Sequence, residues 1–261
     1  MMTPGVDLDF RPEVPAFDAN AALGRRHDRR VAVDDAAGLL AEMDRVEVER
    51  ALVYAPHAAA FDSAEGNAGL LEAIGDESRL VPQFVCNPTF DDLNETAAQI
   101  EEADARAVRM VPTLHHYPFR SWVVGEWLEW LSAQGIPLWL PASYEANWHD
   151  GGDLDPHAVH ETVRQFPDLT VVLCEVHYVQ ASWAPPLLRS LPNLSIEVSR
   201  YVIADGISQL LRIVGPGRVL FGSRFPEQAI APQLYHLHRL GLNETDLRAV
   251  CGGNLARLLR M

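Results

Sequence analysis

Arg218-Val-Leu-Phe-Gly-Ser-Arg-Phe-Pro226 decides how this chain is read. An apolar run, Val219 to Phe221, stops at Gly222 and is followed by a guanidinium, Arg224, and a proline. Short apolar runs bounded in this way fit strands buried on both faces, as in a parallel sheet. Further runs of this kind lie upstream at 6–10, 51–56, 80–87, 106–112, 137–142, 169–177 and 194–200. Helical stripes alternate with them. Leu39, Leu40, Met43 and Val46 form one behind Asp34 and Asp35, and a Glu-rich stretch ends at Ile100. Trp127, Leu128 and Leu131 mark another, and Val159, Val163 and Phe166 follow the start signal Asp155-Pro156. Strand–helix alternation of this length predicts an α/β chain folded as a (β/α)8 TIM barrel, one domain over 1–261. Closing C-terminal helices are expected from Asn243 onward, with Asn243 and Asp246 as a capping pair, an interruption at Gly252-Gly253 and Asn254 as a cap. A doubly wound open sheet fits the same alternation, but no glycine-rich phosphate loop follows the first run.

The composition narrows the partners. Lys and Arg total 21 against 36 Asp and Glu, for a formal charge of -15. That balance repels nucleic acid and anionic membrane surfaces and predicts a cytoplasmic protein. No apolar run has the length of a membrane span, and the opening MMTPGVDLDF lacks the pattern of a signal peptide. Cys86, Cys174 and Cys251 are scattered and odd in number, which argues against a disulfide framework or a cysteine zinc site.

Several segments in order resemble the amidohydrolase-related family of metal-dependent hydrolases. They are Gly5 to Arg11, Leu39 to Val53, Phe166 to Glu175, Arg218 to Pro226, and Cys251 to Leu259. The resemblance implies a TIM barrel, hydrolase or lyase chemistry on small molecules, and a homodimer. It also implies metal ligands, and these do not carry over. Where the family has D-x-H-x-H on its first strand, the reading here is Asp7-Leu-Asp9-Phe-Arg11. Pro141 stands at the end of strand five and Glu175 at the end of strand six, both histidine positions in the family. Arg224 replaces the strand-eight Asp, which binds metal and accepts the proton. A guanidinium can do neither. A divalent ion lowers the pKa of its bound water from about 15.7 to about 7. Without that help, ordinary metal-hydroxide hydrolysis is not expected, and no metal or cofactor is expected in the site.

Two readings of the replaced set follow. In one, Asp9 and Glu175 act as general acid or base, His177 carries a second proton, and Arg11 and Arg224 anchor a small anionic substrate. In the other, the same charges form a structural ion-pair plug in a catalytically silent scaffold, sensor or partner subunit. A rearranged metal set from Asp7, Asp9, Glu175 and His177 is a third, minor reading. The loops after the strands favour a pocket for a carboxylated or aromatic molecule, because they carry His115, Tyr144, Trp148, Tyr178 and Arg200.

Overall fold

The structure, a computed structural model, describes residues 10–144 and 152–261. Eight parallel strands follow one another in a single sheet: β1 (Ala16–Ala22), β2 (Val48–Tyr54), β3 (Leu80–Val85), β4 (Ala107–Arg109), β5 (Leu138–Pro141), β6 (Val171–Cys174), β7 (Leu194–Glu197) and β8 (Val219–Leu220). The last strand returns to the first through Ala19 N–H to Phe221 O at 3.0 Å and a bridge between Ala21 and Phe225. Helices occupy the crossovers, so the expected (β/α)8 barrel is the fold. No helix is long and apolar enough to cross a membrane among the described residues.

Side chains two residues apart on a strand share a face, and this sets the barrel's layers. Phe17, Leu52, Val81, Ala107, Trp139, Val172 and Leu220 form a buried apolar cluster, with Leu255 and Leu259 of the last helix (Asn254–Leu259) packed against it. One step of two residues toward the C-terminal ends reaches Tyr54, Gln83, Arg109, Pro141, Cys174 and Gly222, with Glu197 at the matching end of β7. The apolar floor thus gives way to a polar mouth, where barrel chemistry is located.

The crossover helices begin where the sequence signals them. The Asp35 carboxylate caps Ala36–Arg45 by accepting from Gly38 N–H, and Asp155 caps Pro156–Val163 through His157 N–H. Asn243 accepts from Asp246 N–H to start Glu244–Arg248, as the capping pair predicts. Asn254 departs from expectation. It caps nothing; its amide donates instead to Pro216 O and Val219 O, tying the closing helix to the start of β8.

One strand moves. The first strand is Ala16–Ala22, not 6–10, of which residues 6–9 lie outside the described residues. Its composition, AFDANAA, is poor in β-formers, whereas VDLDF alternates as a half-buried strand would. Small side chains suit a strand buried at every position, and every residue of β1 is buried. The motif comparison shifts with it. At the D-x-H-x-H position β1 reads Asp18-Ala-Asn20-Ala-Ala22. A register shift between Asp18 and Ala21 places Ala19 in the apolar floor while its neighbour Asn20 reaches the mouth.

Candidate active site at the barrel mouth

Asn20 is the hub of the mouth. Its amide Nδ2 donates to Glu175 Oε1 at 2.8 Å and to Glu197 Oε2 at 3.0 Å, and lies 3.3 Å from Ser199 Oγ. Its Oδ1 accepts from Arg109 Nη2 at 2.6 Å. One side chain from β1 therefore ties together β4, β6 and β7. Asp18 performs a related task between β1 and β8, accepting from Ser223 N–H at 2.9 Å and from the Ser223 hydroxyl.

Glu175 follows β6 directly, and Arg224 lies four residues beyond β8. Both adopt the left-handed backbone conformation, with φ of 56° and 61°. That conformation is costly for a side chain with a Cβ and is found where surrounding structure enforces it. Arg224 N–H donates to Asn20 O at 2.7 Å, which fixes the turn against β1. Its Nε then meets Glu175 Oε2 at 2.7 Å, and its Nη2 meets Glu227 Oε2 at 2.6 Å. Arg200 approaches the same Glu175 oxygen at 3.7 Å.

The charges continue outward in alternation. Glu227 pairs with Arg26, and Arg26 forms a two-pronged pair with Asp28 through Nε at 2.8 Å and Nη2 at 2.9 Å. Arg29 at the surface touches Asp28 in turn. Arg26, Asp28, Glu175 and Glu227 all have side chains less than a tenth exposed. All 21 basic Lys/Arg positions in the chain are arginines. Burial cannot neutralise a guanidinium, so the carboxylates must adapt to it.

They adapt in opposite directions. Burial pushes Glu175 up, but Arg224, Arg200, Asn20 and Arg109 outweigh it and hold the carboxyl below the usual range. Burial and the neighbouring Glu175 charge push Glu197 up to about 8, against hydrogen bonds from Ser199. Burial also raises Asp18 and Glu227, while Arg26 brings Asp28 down to about 2. Gly222 makes room for the neutralised acid. A Cβ there would stand 2.2 Å from Glu197 Oε1.

On the β3–β4 side the mouth holds donors rather than acceptors. Arg109 is fully buried, stacks over Tyr54 with its Cζ 4.0 Å from the ring centre, and donates through Nε to Gln83 Oε1 at 2.7 Å. Among the described residues it hydrogen-bonds to amide oxygens and stacks on a ring, while Glu175 and Glu197 act on it through space.

Of the residues singled out from sequence, the structure brings Glu175, Arg200, Arg224 and Tyr144 to this mouth, Tyr144 lying under the Arg26 guanidinium at 5.6 Å. Arg11 is elsewhere. It precedes β1, is exposed, and pairs with Glu47 at 2.6 Å. His177 follows Glu175 but lies against Gln180, which bonds Asp153. His115 Nε2 lies 2.8 Å from Ala59 O beside the helix Pro56–Ala60, and burial lowers its pKa. Tyr178 is three-quarters exposed. Asp9, Asp7 and Trp148 lie outside the described residues. Asp18, Asn20, Arg109, Glu197 and Glu227 were not foreseen. A charged residue closing an apolar strand, as Arg109 and Glu197 do in β4 and β7, is the signal that could have found two of them.

The mouth does not fit the cation that the resemblance implies. Asn20, Ala22, Pro141, Glu175 and Arg224 stand at the ligand positions, and one carboxylate among them is already paired with a guanidinium. Among the described residues no group of three or more His, Cys, Asp or Glu could hold a metal ion.

Several solved structures share this architecture. A 5-carboxyvanillate decarboxylase from Novosphingobium aromaticivorans, complexed with manganese and 4-hydroxy-3-methoxy-5-nitrobenzoic acid, superposes with a TM-score of 0.75 at 11% identity, over 95% of this chain and 97% of the other. A 2,6-dihydroxybenzoate decarboxylase from Rhizobium gives 0.74 at 13% identity, over 95% and 99%. A protein proposed as a 2-pyrone-4,6-dicarboxylic acid hydrolase, from Pseudomonas putida, gives 0.71 at 16%, over 95% and 98%. At such identities the likeness establishes the fold. No functionally curated protein matches the chain. The family profile described as amidohydrolase matches residues 7–261, nearly the full length, and the chain belongs to the amidohydrolase family.

Proposed function

We propose that this barrel binds a small carboxylated or aromatic molecule at its mouth and cleaves it by acid/base chemistry of Glu175 and Glu197, without a metal. The observation that carries this reading is the pair itself. Two carboxyl groups share one amide, Asn20 Nδ2, and their surroundings push them apart, Glu175 down and Glu197 to about 8. Such a split at neutral pH leaves one ionised group to accept a proton and one neutral group to supply it. On this reading Arg224 and Arg200, a tenth exposed beside Glu175, receive an anionic substituent. The reaction class is hydrolase or lyase. Carboxylated aromatics are the first ligands to try, because similar barrels include decarboxylases of 5-carboxyvanillate and 2,6-dihydroxybenzoate.

A second reading has its own support. Glu197 has no exposed surface, and the Glu175–Arg224 pair is closed by hydrogen bonds on both sides. On that reading the mouth is a sealed plug and the chain a non-catalytic binding or scaffold protein.

The two separate in one experiment. Protein purified without added metal is incubated in chelator with a panel of hydroxybenzoates and pyrone carboxylates, and product formation and thermal shift are followed. Turnover that survives chelation and disappears in Glu175→Gln supports acid/base catalysis. Turnover that chelation abolishes and manganese or zinc restores would overturn the metal-free mechanism. Neither turnover nor stabilisation across the panel would favour the plug.

A further inference from the structure

We infer that the donors on the β3–β4 side of the mouth, Arg109 Nη1 and Gln83 Nε2, bind a small acceptor-only anion: a free halide or the carboxylate group of the bound molecule. Both atoms are buried and lack a hydrogen-bond partner among the described residues. Buried polar groups in folded proteins are nearly always paired, so two on side chains already bonded to each other call for an acceptor. They cannot satisfy one another, since a guanidinium and an amide NH2 only donate. Gln83 has already spent its oxygen on Arg109 Nε.

The chemistry of the surroundings selects an anion over water. A water would bring two protons of its own into a cluster already crowded with donors. Glu175 and Glu197 are engaged on the other face of Asn20, by Arg224, Ser199 and the Asn20 amide. Asn20 thus divides the mouth, turning Nδ2 toward the acids and Oδ1 toward Arg109. The Arg109 guanidinium is fully buried and all its hydrogen-bond partners among the described residues are neutral; Glu175 and Glu197 act on it only through space, and a desolvated cation in that state favours a directly bonded counter-ion. Tyr54 closes one face of the guanidinium.

The carboxylate form rests on the ligand class proposed above, whereas the halide form stands without it. The test uses the full chain. Crystals soaked in bromide are examined for anomalous signal, then soaked in benzoate. Solution binding is followed by thermal shift against bromide and benzoate at constant ionic strength. The expected result is a bromide site on Arg109 Nη1 and Gln83 Nε2 with saturable stabilisation. Displacement of that bromide by benzoate identifies the subsite as one for a substrate carboxylate, and its persistence identifies a halide site. Gln83→Glu supplies an internal carboxylate to Arg109 and should weaken both ligands about tenfold or more. Arg109→Gln is a second variant, and Gln83→Glu decides alone if it does not fold. A water at these donors in the bromide-soaked crystal, no saturable response in the unmodified chain, or equal binding in Gln83→Glu would overturn the inference. An occupied subsite without turnover on any substrate removes the proposed catalysis only. Turnover with this subsite holding water removes the anion only.

Discussion

Arg224 Nε lies 2.7 Å from Glu175 Oε2, and both residues hold left-handed backbone past the C-terminal ends of β8 and β6, across the end of β7. Two side chains that replace metal ligands therefore satisfy each other. Removing one partner from a buried pair leaves a charge with nothing to offset it, at a cost of about 3–5 kcal/mol. Arg224→Ala and Glu175→Ala should each lower stability by about that much in urea unfolding. The double variant should lose much less than the sum of the two. Strict additivity would mean that the pair contributes no coupling.

Glu197 imposes a pH dependence of definite sign. Its folded pKa is raised from the ordinary glutamate value of 4.5 to about 8, so the folded chain holds a proton that the unfolded chain releases over that interval. The resulting stability is fully present below about 4.5 and is lost as pH rises through about 8. Glu175, shifted down, has the opposite effect and loses its contribution only in acid, below 4.5. Glu197→Gln should flatten the fall in melting temperature between pH 5 and 8.5 and melt higher than the unmodified chain at the alkaline end, by roughly several degrees. Parallel pH curves for the two proteins would contradict the shift.

Gly222 should tolerate no side chain. A methyl group at this position meets the Glu197 carboxyl at 2.2 Å, and Glu197 is locked by Ser199. Gly222→Ala is expected to cost about 1–3 kcal/mol through overpacking. It should also alter the titration of Glu197. An unchanged melting curve would show that the strand can move aside.

Asn20 offers a test of the hub. Asn20→Ala removes the donor shared by Glu175 and Glu197 and the acceptor used by Arg109. Each buried group left without a partner costs about 1–3 kcal/mol, so the loss should exceed that of an ordinary cap or surface substitution. Asn20→Asp keeps the acceptor for Arg109 but sets a third carboxylate against two others. It should be tolerated in mild acid and destabilise strongly as pH rises, as read by melting temperature across pH.

The barrel was legible in the sequence because seven of its strands are compact apolar runs between amphipathic helices. β1 was not, since Ala16–Ala22 takes its stability from close packing on all sides and not from β propensity. That one displacement carried Asp9 and Arg11 into the predicted site and left Asp18 and Asn20 out of it. Glu175 and Arg224 were legible because the family resemblance marks their positions on strands six and eight. Arg109 and Glu197 fall in the middle of the expected strands 106–112 and 194–200, and only the shorter observed β4 and β7 leave them at strand ends. Arg26 and Glu227 lie 201 residues apart and meet only through the closed barrel, so no local pattern could link them.

The most direct test of the central claim is a pH titration of the glutamate side-chain carboxyls by 13C NMR, with Glu175→Gln and Glu197→Gln used to assign the two signals. Glu197 is expected to titrate near 8 and Glu175 below 4.5 in the same protein. Two carboxyls titrating together in the ordinary acidic range would contradict it, and with it the acid/base division proposed for the mouth.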